Sequence, residues 1–335
     1  ASLESISFPE RTVKIGAYVF QNITGLKSVH IPSTVTTIAG YAFAGCTSLE
    51  SVTFAENCAL TEIPLYAFNK CSSLKTIDLP KGISEIGCNA FSNSGLTSIT
   101  IPKNVKRLGG ASYFGSSSAS GYTFASCYDL ASVTFEEGSV LTSIESSAFS
   151  GCTKLASIVL PDKLEKIGTA VFSKTTISSI TIPASVTTID TNAFEYCSQL
   201  SEVVFAEGSE LTKIGNYAFR ATAIASFAFP ETSATKLTVG TDLFFGCKAL
   251  KSVHLSSDVT SVDNVFRGCA SIETVTVSEE NQNFTIEAND NILYNKTKTA
   301  IRYIVGESIH GVLFKGTPRE KSESDTVRLG VSIPI

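Results

Sequence analysis

Cysteine has the most regular spacing of any reactive residue type in this sequence, and thiols can bind metals, form disulfides or pack in a core. Seven of the nine cysteines lie three residues before a leucine or isoleucine, in segments such as FAGCTSLESVTF and FSGCTKLASIVL. The seven are Cys46, Cys71, Cys127, Cys152, Cys197, Cys247 and Cys269. Zinc sites use paired ligands such as C-x2-C, and the sequence contains no such pair.

Two further interpretations of the cysteines are a set of disulfides and a packing ladder. Geometry permits disulfides, since neighbouring repeats can bring Cα atoms within about 4.4 to 6.8 Å of each other. The cysteine count is odd, however, and the same slot, counted back from the leucine, holds Ile23, Asn93, Lys174 and Ala221 in other repeats. Because free cysteine behaves as a small hydrophobic residue, we predict a buried packing ladder, with some disulfides or a reactive thiol as the alternatives.

Histidines and carboxylates give little support for catalysis. The three histidines are His30, His254 and His310, and the first two occupy the same strand position nine repeats apart. No HExxH, GxSxG, P-loop or GxGxxG motif occurs in a usable context. The acidic residues Glu136 and Glu137 are adjacent in sequence, which in a loop indicates solvated charge. We predict no catalytic residue, no metal site and no cofactor.

A repeated element positions these residues. Alignment on the leucine or isoleucine that begins an LxSxxxP segment gives twelve repeats with a period near 23 residues. The aligned residues are Leu3, Leu26, Leu49, Leu74, Leu96, Leu130, Leu155, Ile177, Leu200, Ile224, Leu250 and Ile272. Each repeat contains an alternating run such as LKSVHIP, which predicts a half-buried strand, then a second short apolar run and a phenylalanine.

The repeats are of two kinds. Most end their first strand with proline, which cannot donate to a sheet ladder. Three others, beginning TFAEN, TFEEG and VFAEG at Thr53, Thr134 and Val204, replace the proline with phenylalanine and a wider turn. No single repeat can bury its apolar face alone, so the repeats must stack into a solenoid with a continuous core.

Two columns of residues in the predicted strands should face solvent. The first column holds serine or threonine in eleven of twelve repeats. Cross-strand hydroxyl pairs can hydrogen-bond, so the columns have a structural interpretation as well as a functional one, a neutral strip that docks a protein or glycan. The candidate binding residues of this strip are Ser51, Thr53, Ser98, Thr100, Ser132, Thr134, Ser179 and Thr181.

One repeat carries an insertion, GGASYFGSSSASGYTF, at residues 109–124. Glycine and serine favour a flexible segment, while Tyr113, Phe114 and Tyr122 supply aromatic contacts near its ends. Insertions in repeat proteins emerge as loops on one face, often the binding face. We therefore add these three aromatic residues to the candidate ligand-binding set, with a tolerated surface loop as the alternative.

Composition excludes several classes of protein. The chain of 335 residues has a net charge of −5, which gives no basic surface for nucleic acid. No stretch approaches the roughly 18 to 20 consecutive apolar residues of a membrane span. The sequence begins within a repeat, without an initiator methionine or a signal-like segment. We expect a mature or trimmed fragment whose leader lies outside this sequence.

The repeat unit resembles that of the BspA-like leucine-rich-repeat family of bacterial and protist surface proteins, LxxIxIP…IGxxAFxxCxxL. The resemblance covers about residues 3–272. The later segment NQNFTIEANDNILYNKTKTAIRYIVGE resembles the closing hairpin of the family, with Asp290 kept and Asn291 where the family favours glycine. The resemblance implies a surface or secreted protein of adhesive or interaction type, usually without enzymatic activity.

The combined prediction is a mainly β, right-handed leucine-rich-repeat solenoid of about 12 coils with one parallel sheet and a C-terminal cap. Residues 1–272 would form the solenoid, and residues 273–335 a C-terminal repeat, a hairpin cap and a tail. We expect a noncatalytic, extracellular or cell-surface protein that binds a host or neighbouring-cell protein or glycan. The alternative is a structural spacer that presents another domain, and the sequence leaves the oligomeric state open.

Overall fold

The structure, a computed structural model, describes residues 3–110, 121–232, 236–287, 292–299 and 301–304. Within these residues the chain forms β-strands and turns and no helix. Two rows of short parallel strands wind into a solenoid of about eleven turns, and three antiparallel strands follow. The predicted mainly β solenoid is therefore confirmed.

The front row of strands is formed by the LxSxxxP segments. All strands are numbered together in chain order, so the numbers within one row are not consecutive. The front row consists of β1 (Ser5–Ser7), β3 (Ser28–Ile31), β5 (Ser51–Phe54), β8 (Ser98–Ile101), β10 (Ser132–Phe135), β13 (Ser179–Ile182), β15 (Glu202–Phe205), β17 (Ser226–Ala228), β19 (Ser252–Leu255) and β20 (Thr274–Val277). Burial alternates along them, because successive side chains of a strand point to opposite faces. Equivalent residues of neighbouring repeats pair in register, as Ser5 does with Ser28.

The second apolar run of each repeat forms a second row, which the sequence analysis did not describe as a sheet. Its strands are β2 (Lys14–Ile15), β4 (Thr37–Ile38), β6 (Glu62–Ile63), β7 (Glu85–Gly87), β9 (Arg107–Gly110), β11 (Ser143–Ile144), β12 (Lys166–Ile167), β14 (Thr188–Ile189), β16 (Lys213–Ile214) and β18 (Thr238–Val239). The strands from β6 to β18 form one continuous parallel sheet of eight strands. This row therefore links the coils more continuously than the front row does.

The front row is divided into four sheet segments, β1-β3-β5, β8-β10, β13-β15 and β17-β19-β20. Each of the first three ends with the strand of a phenylalanine-type repeat, so a division recurs every three coils. Phe54, Phe135 and Phe205 close these strands and are half-buried, whereas isoleucine at the same position of β3, β8 and β13 is fully buried. We attribute the division to this larger ring and to the longer turn that follows it.

A ladder of phenylalanine rings forms the centre of the solenoid. Its members are Phe20, Phe43, Phe68, Phe91, Phe124, Phe149, Phe172, Phe194, Phe219, Phe244 and Phe266. Successive rings stack with centroids 5.3 to 6.5 Å apart. After β21 (Phe284–Glu287) and β22 (Ile292–Asn295), the last strand of the described residues, β23 (Ile301–Ile304), places Tyr303 against the final ring at 4.8 Å. The antiparallel strands thus cover the C-terminal end of the ladder.

The turn around each ladder phenylalanine has a fixed backbone conformation. The residues two before and two after the ring both have φ in the left-handed region. The earlier column consists of Tyr18, Tyr41, Tyr66, Asn89, Tyr122, Ser147, Ala170, Asn192, Tyr217, Asp242 and Asn264. The later column consists of Asn22, Gly45, Lys70, Asn93, Ser126, Gly151, Lys174, Tyr196, Ala221, Gly246 and Gly268.

Candidate functional site

The predicted hydroxyl strip lies on the front row, and its side chains face outward. Seven of its eight candidate residues are exposed, and Ser98 is half-buried. Strands β8 and β10 pair directly, which places Ser98 beside Ser132 and Thr100 beside Thr134. These four residues form one contiguous group at the middle of the solenoid.

Hydrogen bonds between neighbouring coils fix several of the outward side chains. The hydroxyls of Thr100 and Thr134 are 2.9 Å apart, and the Ser252 hydroxyl donates to that of Ser226 at 2.8 Å. His30 Nδ1 lies 2.9 Å from the Thr53 hydroxyl, and the same arrangement recurs where His254 meets Thr276. The structural interpretation of the columns is therefore confirmed, and the outer hydroxyl atoms stay in reach of a ligand.

The remaining candidate residues are separated from this central group by the divisions of the front row. Ser51 and Thr53 lie on β5, the last strand before the first division of the front row, and residues 76–79 lie on the other side of that division. Ser179 and Thr181 lie on β13, beyond residues 157–160. The strip is consequently three patches rather than one continuous row of paired strands.

A groove of about 570 Å³ opens at the second division, between β10 and residues 157–160. Its walls include Val133 and Ile158, and Glu137 and Asp162 line it beside the turns. Val159, on the second wall, is 86% exposed, the largest exposed fraction among the large hydrophobic side chains of the described residues. Sequence reasoning missed this groove, although the unusual phenylalanine-type repeat before it was visible.

The insertion is only partly described. Tyr113 and Phe114 fall within residues 111–120 and lie outside the described residues. Tyr122 is described, is 49% exposed and takes the left-handed conformation with φ 59°. A Cβ on Gly109 would lie 2.6 Å from the Cα of Gly121, so the two ends of the insertion are in contact. The insertion therefore leaves the coil and returns to it at one point.

The repeat cysteines have a common geometry. Each of the seven thiols donates to the backbone carbonyl of the ladder phenylalanine in the preceding repeat, at 3.0 to 3.3 Å. All nine cysteines are free, and only Cys58 is not buried. The packing ladder is confirmed, and each thiol also donates a hydrogen bond to a carbonyl at the turn.

The sequence analysis was wrong about which residues replace cysteine in three repeats, because it found that position by counting back from the leucine. Asn93, Lys174 and Ala221 have φ of 57°, 62° and 54° and belong to the later left-handed column. The residues that replace cysteine, third after the phenylalanine, are the buried Ser94, Thr175 and Thr222. Their hydroxyls lie 3.2 to 3.3 Å from the cysteine thiol of the next repeat. A hydroxyl thus takes the place of the thiol in these three shortened turns, where the leucine or isoleucine comes five residues after the phenylalanine and not six.

The electrostatic environment of the thiols argues against nucleophilic chemistry. Burial raises the pKa of Cys46, Cys127 and Cys197 from 9.0 to about 11. The thiolate is the nucleophile and the metal ligand, and apolar burial suppresses it. Among the described residues, no three His, Cys, Asp or Glu side chains come together in a way that could hold a metal ion.

Tyrosines in the earlier left-handed column were also missed, of which Tyr18 is exposed while Tyr41 and Tyr66 are half-buried. The rings of Tyr18, Tyr41 and Tyr66 stack with centroids 4.9 and 4.4 Å apart. Burial, followed by the neighbouring Tyr66 and Tyr18, raises the pKa of Tyr41. The sequence signal was the tyrosine two residues before the ladder phenylalanine in AYVF, GYAF and LYAF. Because the rings stack face to face, only their edges and the two outer faces are open to a ligand.

A cluster of arginines and aromatic rings occupies the turns near the C-terminal end. The Arg220 guanidinium lies 5.0 Å from the ring centroid of Tyr196 and 5.4 Å from that of Phe245, and it pairs with Glu195 at 2.8 Å. Arg267 lies over the same Phe245 ring, 4.8 Å from its centroid, and pairs with Asp242. The charges are already paired, so we assign the cluster to the stability of these turns.

The repeats of this chain are similar to those of known proteins. The profile of the BspA type leucine rich repeat region matches residues 1–120, 117–238 and 212–304. A leucine-rich repeat protein from Bacteroides ovatus is 24% identical, with 83% of this chain and 70% of that chain covered and a TM-score of 0.59. A leucine rich cell surface protein from Faecalibacterium prausnitzii is 27% identical, with coverage of 83% and 88% and a TM-score of 0.48.

Other comparisons add limits. No sequence among the curated proteins matches the chain. The described residues contain no helix that is long and apolar enough to cross a membrane. Since the family profile covers most of the sequence in three overlapping stretches, the chain belongs to the BspA-type leucine-rich-repeat family.

Proposed function

We propose that this chain is a noncatalytic interaction module that binds a protein or glycan through its front row of strands. The observation that carries the proposal is the set of outward hydroxyls held in place between coils, of which Thr100 and Thr134 at 2.9 Å are the central pair. A surface that is already ordered loses less conformational entropy when it binds. Membership of a family of repeat scaffolds supports an interaction role.

The proposed location is extracellular or at a cell surface. The similar protein from Faecalibacterium prausnitzii is described as a cell surface protein, and that description motivates the proposal for this chain. The proposed ligand is a protein or glycan of a host or a neighbouring cell. A neutral hydroxyl surface suits hydrogen-bonded recognition better than the charge-driven binding of nucleic acid.

The test combines glycan and protein arrays with three variants of the whole chain. Ser132→Lys with Ser179→Lys places two charges on the front row, deletion of residues 111–120 removes most of the insertion, and Gln21→Lys adds a charge to an exposed turn residue as the control. We expect the front-row variant to lose array binding and the control to keep it. Binding that survives both the front-row variant and the deletion would refute the site, and turnover of any substrate by the purified chain would refute the noncatalytic role.

A structural spacer is the second candidate, and the unbroken phenylalanine ladder favours it. Eleven stacked rings give a continuous core from Phe20 to Phe266. A spacer would bind none of the glycans or proteins on the arrays. Its end-to-end length in solution would be constant. Small-angle scattering that shows a single rigid extended particle, together with empty arrays, would support the spacer over the interaction module.

A further inference from the structure

The groove beside β10 has a feature that a simple surface depression lacks. Residues 157–160 keep the buried and exposed alternation of a strand, with Ile158 and Leu160 inward and Val159 outward. Among the described residues, however, no backbone hydrogen bond joins residues 157–160 to β10 or to β13. Their N–H and C=O groups therefore depend on solvent or a ligand for partners.

The rest of the same two coils is closely held. Strand β11 pairs with β12 through Ser143 and Lys166, and the Cys152 thiol reaches the Phe124 carbonyl at 3.2 Å. The separation is thus confined to the front row, and it leaves a preformed opening rather than a mobile joint. An extended strand-like segment held in a fixed groove is a surface on which another chain can add as a strand.

The charge of the groove indicates what kind of segment would fit. Its turns contribute the carboxylates of Glu136, Glu137 and Asp162 against the single ammonium group of Lys163. The Glu136 carboxylate accepts a hydrogen bond from the backbone N–H of Lys103, in the preceding coil, at 3.0 Å, so the negative charge of the groove rests mainly on Glu137 and Asp162. A net negative rim attracts cations and repels acidic ligands.

Resting on the proposed function, we propose that the groove between β10 and residues 157–160 binds an extended, basic peptide segment of a partner protein. The backbone of the peptide pairs with the free N–H and C=O groups of residues 157–160. Its β-branched side chains pack beside Val159, and its lysine or arginine side chains lie against Glu137 and Asp162. The volume of about 570 Å³ accommodates a few residues in extended conformation.

The experiment uses the whole chain and two labelled hexapeptides, KVTVKT and its acidic counterpart EVTVET, with binding measured by fluorescence anisotropy. We expect the lysine peptide to bind at least about fivefold more tightly, because each charge contact at a wet surface changes affinity a few-fold. N-methylation of alternate amides in the lysine peptide should abolish binding, since it removes backbone donors.

Matched variants locate the site. Val159→Lys should weaken binding of the lysine peptide about tenfold or more, whereas Val204→Lys should change it less than about twofold. Val204 is the same residue at the same strand position, 43% exposed, on a strand paired with β13. Glu137→Gln should weaken binding about two- to fivefold, and Glu207→Gln, at the equivalent turn of the third phenylalanine-type repeat, should not.

Several results would overturn the inference. These are equal affinity for the two peptides, equal effects of Val159→Lys and Val204→Lys, and occupation of the groove by a neutral or acidic glycan. If no peptide binds while the front-row lysine variants still abolish array binding, the groove assignment fails and the proposed function stands. If neither peptide nor array ligand binds, both fail.

Discussion

At the scale of single residues, the cysteines act as hydrogen-bond donors within the core. Their thiols donate to the phenylalanine carbonyl of the preceding repeat. In three shortened turns a serine or threonine takes the same position, and its hydroxyl contacts the cysteine thiol of the next repeat. A carbonyl such as that of Phe43 accepts both the backbone N–H of Cys46 and the thiol of Cys71, so the thiol adds a second hydrogen bond at the turn. From Cys46 to Cys269 the position third after each ladder phenylalanine holds Cys, Ser or Thr, all of them small residues that can donate a hydrogen bond.

The raised thiol pKa values predict a loss of stability at alkaline pH. The pKa of Cys127 and Cys197 is about 11 in the folded chain against 9.0 in the ordinary state. The folded chain therefore holds these protons more tightly than the unfolded chain, and the stabilisation is fully present below pH 9 and lost as pH rises through 11. Calorimetry should show the thermal midpoint falling between pH 9 and 11.

Tyrosine and lysine titrate in the same range, so the contribution of the thiols needs a matched control. The double variant Cys127→Ser and Cys197→Ser keeps donors at both turns but has no thiol there to ionise. Its thermal midpoint should fall less between pH 9 and 11 than that of the parent chain. An identical fall in both proteins would contradict the assignment to thiols.

The later left-handed column gives a second prediction, with a matched pair of substitutions. Ala221 has φ 54° and Gly246 has φ 76° at equivalent positions, and a Cβ on Gly246 would meet no atom within 4 Å. A left-handed backbone costs a non-glycine residue about 1 to 2 kcal/mol. Glycine avoids this cost, but it loses more backbone entropy on folding, which offsets part of the advantage. In urea unfolding, Ala221→Gly should stabilise the chain by up to about 1 kcal/mol and Gly246→Ala should destabilise it by a similar amount. Effects of the same sign would show that side-chain contacts, not φ, control this position.

Part of this residue-scale order could be predicted from the sequence. The burial of Cys46 follows from its fixed distance to Leu49, because both recur with the coil. The left-handed columns were not predicted, since residues as different as Tyr41 and Ala170 adopt the same φ there. The conformation is imposed by stacking on neighbouring turns and not by local preference, so residue type carries little signal.

At the scale of elements, two kinds of repeat produce a sheet that is interrupted every third coil. The sequence distinguished the two kinds, and it correctly placed the front-row strands. It did not predict the divisions, because strand pairing depends on the spacing between coils, which is set by how far Phe54, Phe135 and Phe205 enter the core. The candidate hydroxyl strip was therefore placed on the right face but treated as continuous.

The insertion supplies an element-scale prediction. Because Gly109 and Gly121 are in contact at its base, deletion of residues 111–120 should change the thermal midpoint by no more than about 2 °C. The contrasting substitution is Gly121→Ala, where φ is 120° and a Cβ would overlap the Ser146 carbonyl oxygen. It should lower the free energy of unfolding by more than about 2 kcal/mol. A large loss on deletion would mean that the insertion is part of the fold.

At the scale of the whole molecule, each coil contacts only its neighbours, so stability is a sum of local terms along the stack. The eleven ladder rings and the eight-stranded sheet of the second row link the coils in series. The C-terminal end is covered by Tyr303. In the first coil, Leu3 and Val19 are 43% and 51% exposed.

This serial arrangement predicts different outcomes for a central and a terminal substitution. Phe149→Ala removes a fully buried ring that stacks on Phe124 at 5.4 Å and on Phe172 at 5.7 Å, and should destabilise the chain by about 3 to 5 kcal/mol. Hydrogen exchange should then rise in the coils on both sides of the gap, while distant coils keep their protection. Tyr303→Ala removes the ring that covers Phe266 at the end of the ladder, so faster exchange should be confined to the last two coils.

The same exchange measurement distinguishes a serial stack from a single cooperative unit. In a serial stack, the two variants produce separate regions of increased exchange, and the amides of β3 and β5 are unaffected by either one. In a fully cooperative domain, either substitution would accelerate exchange of the most protected amides throughout the chain in proportion to the lost stability. Uniform acceleration after Tyr303→Ala would therefore contradict nearest-neighbour stability. It would also mean that a ligand bound at the central groove could stabilise coils far from its contacts, which a serial stack does not allow.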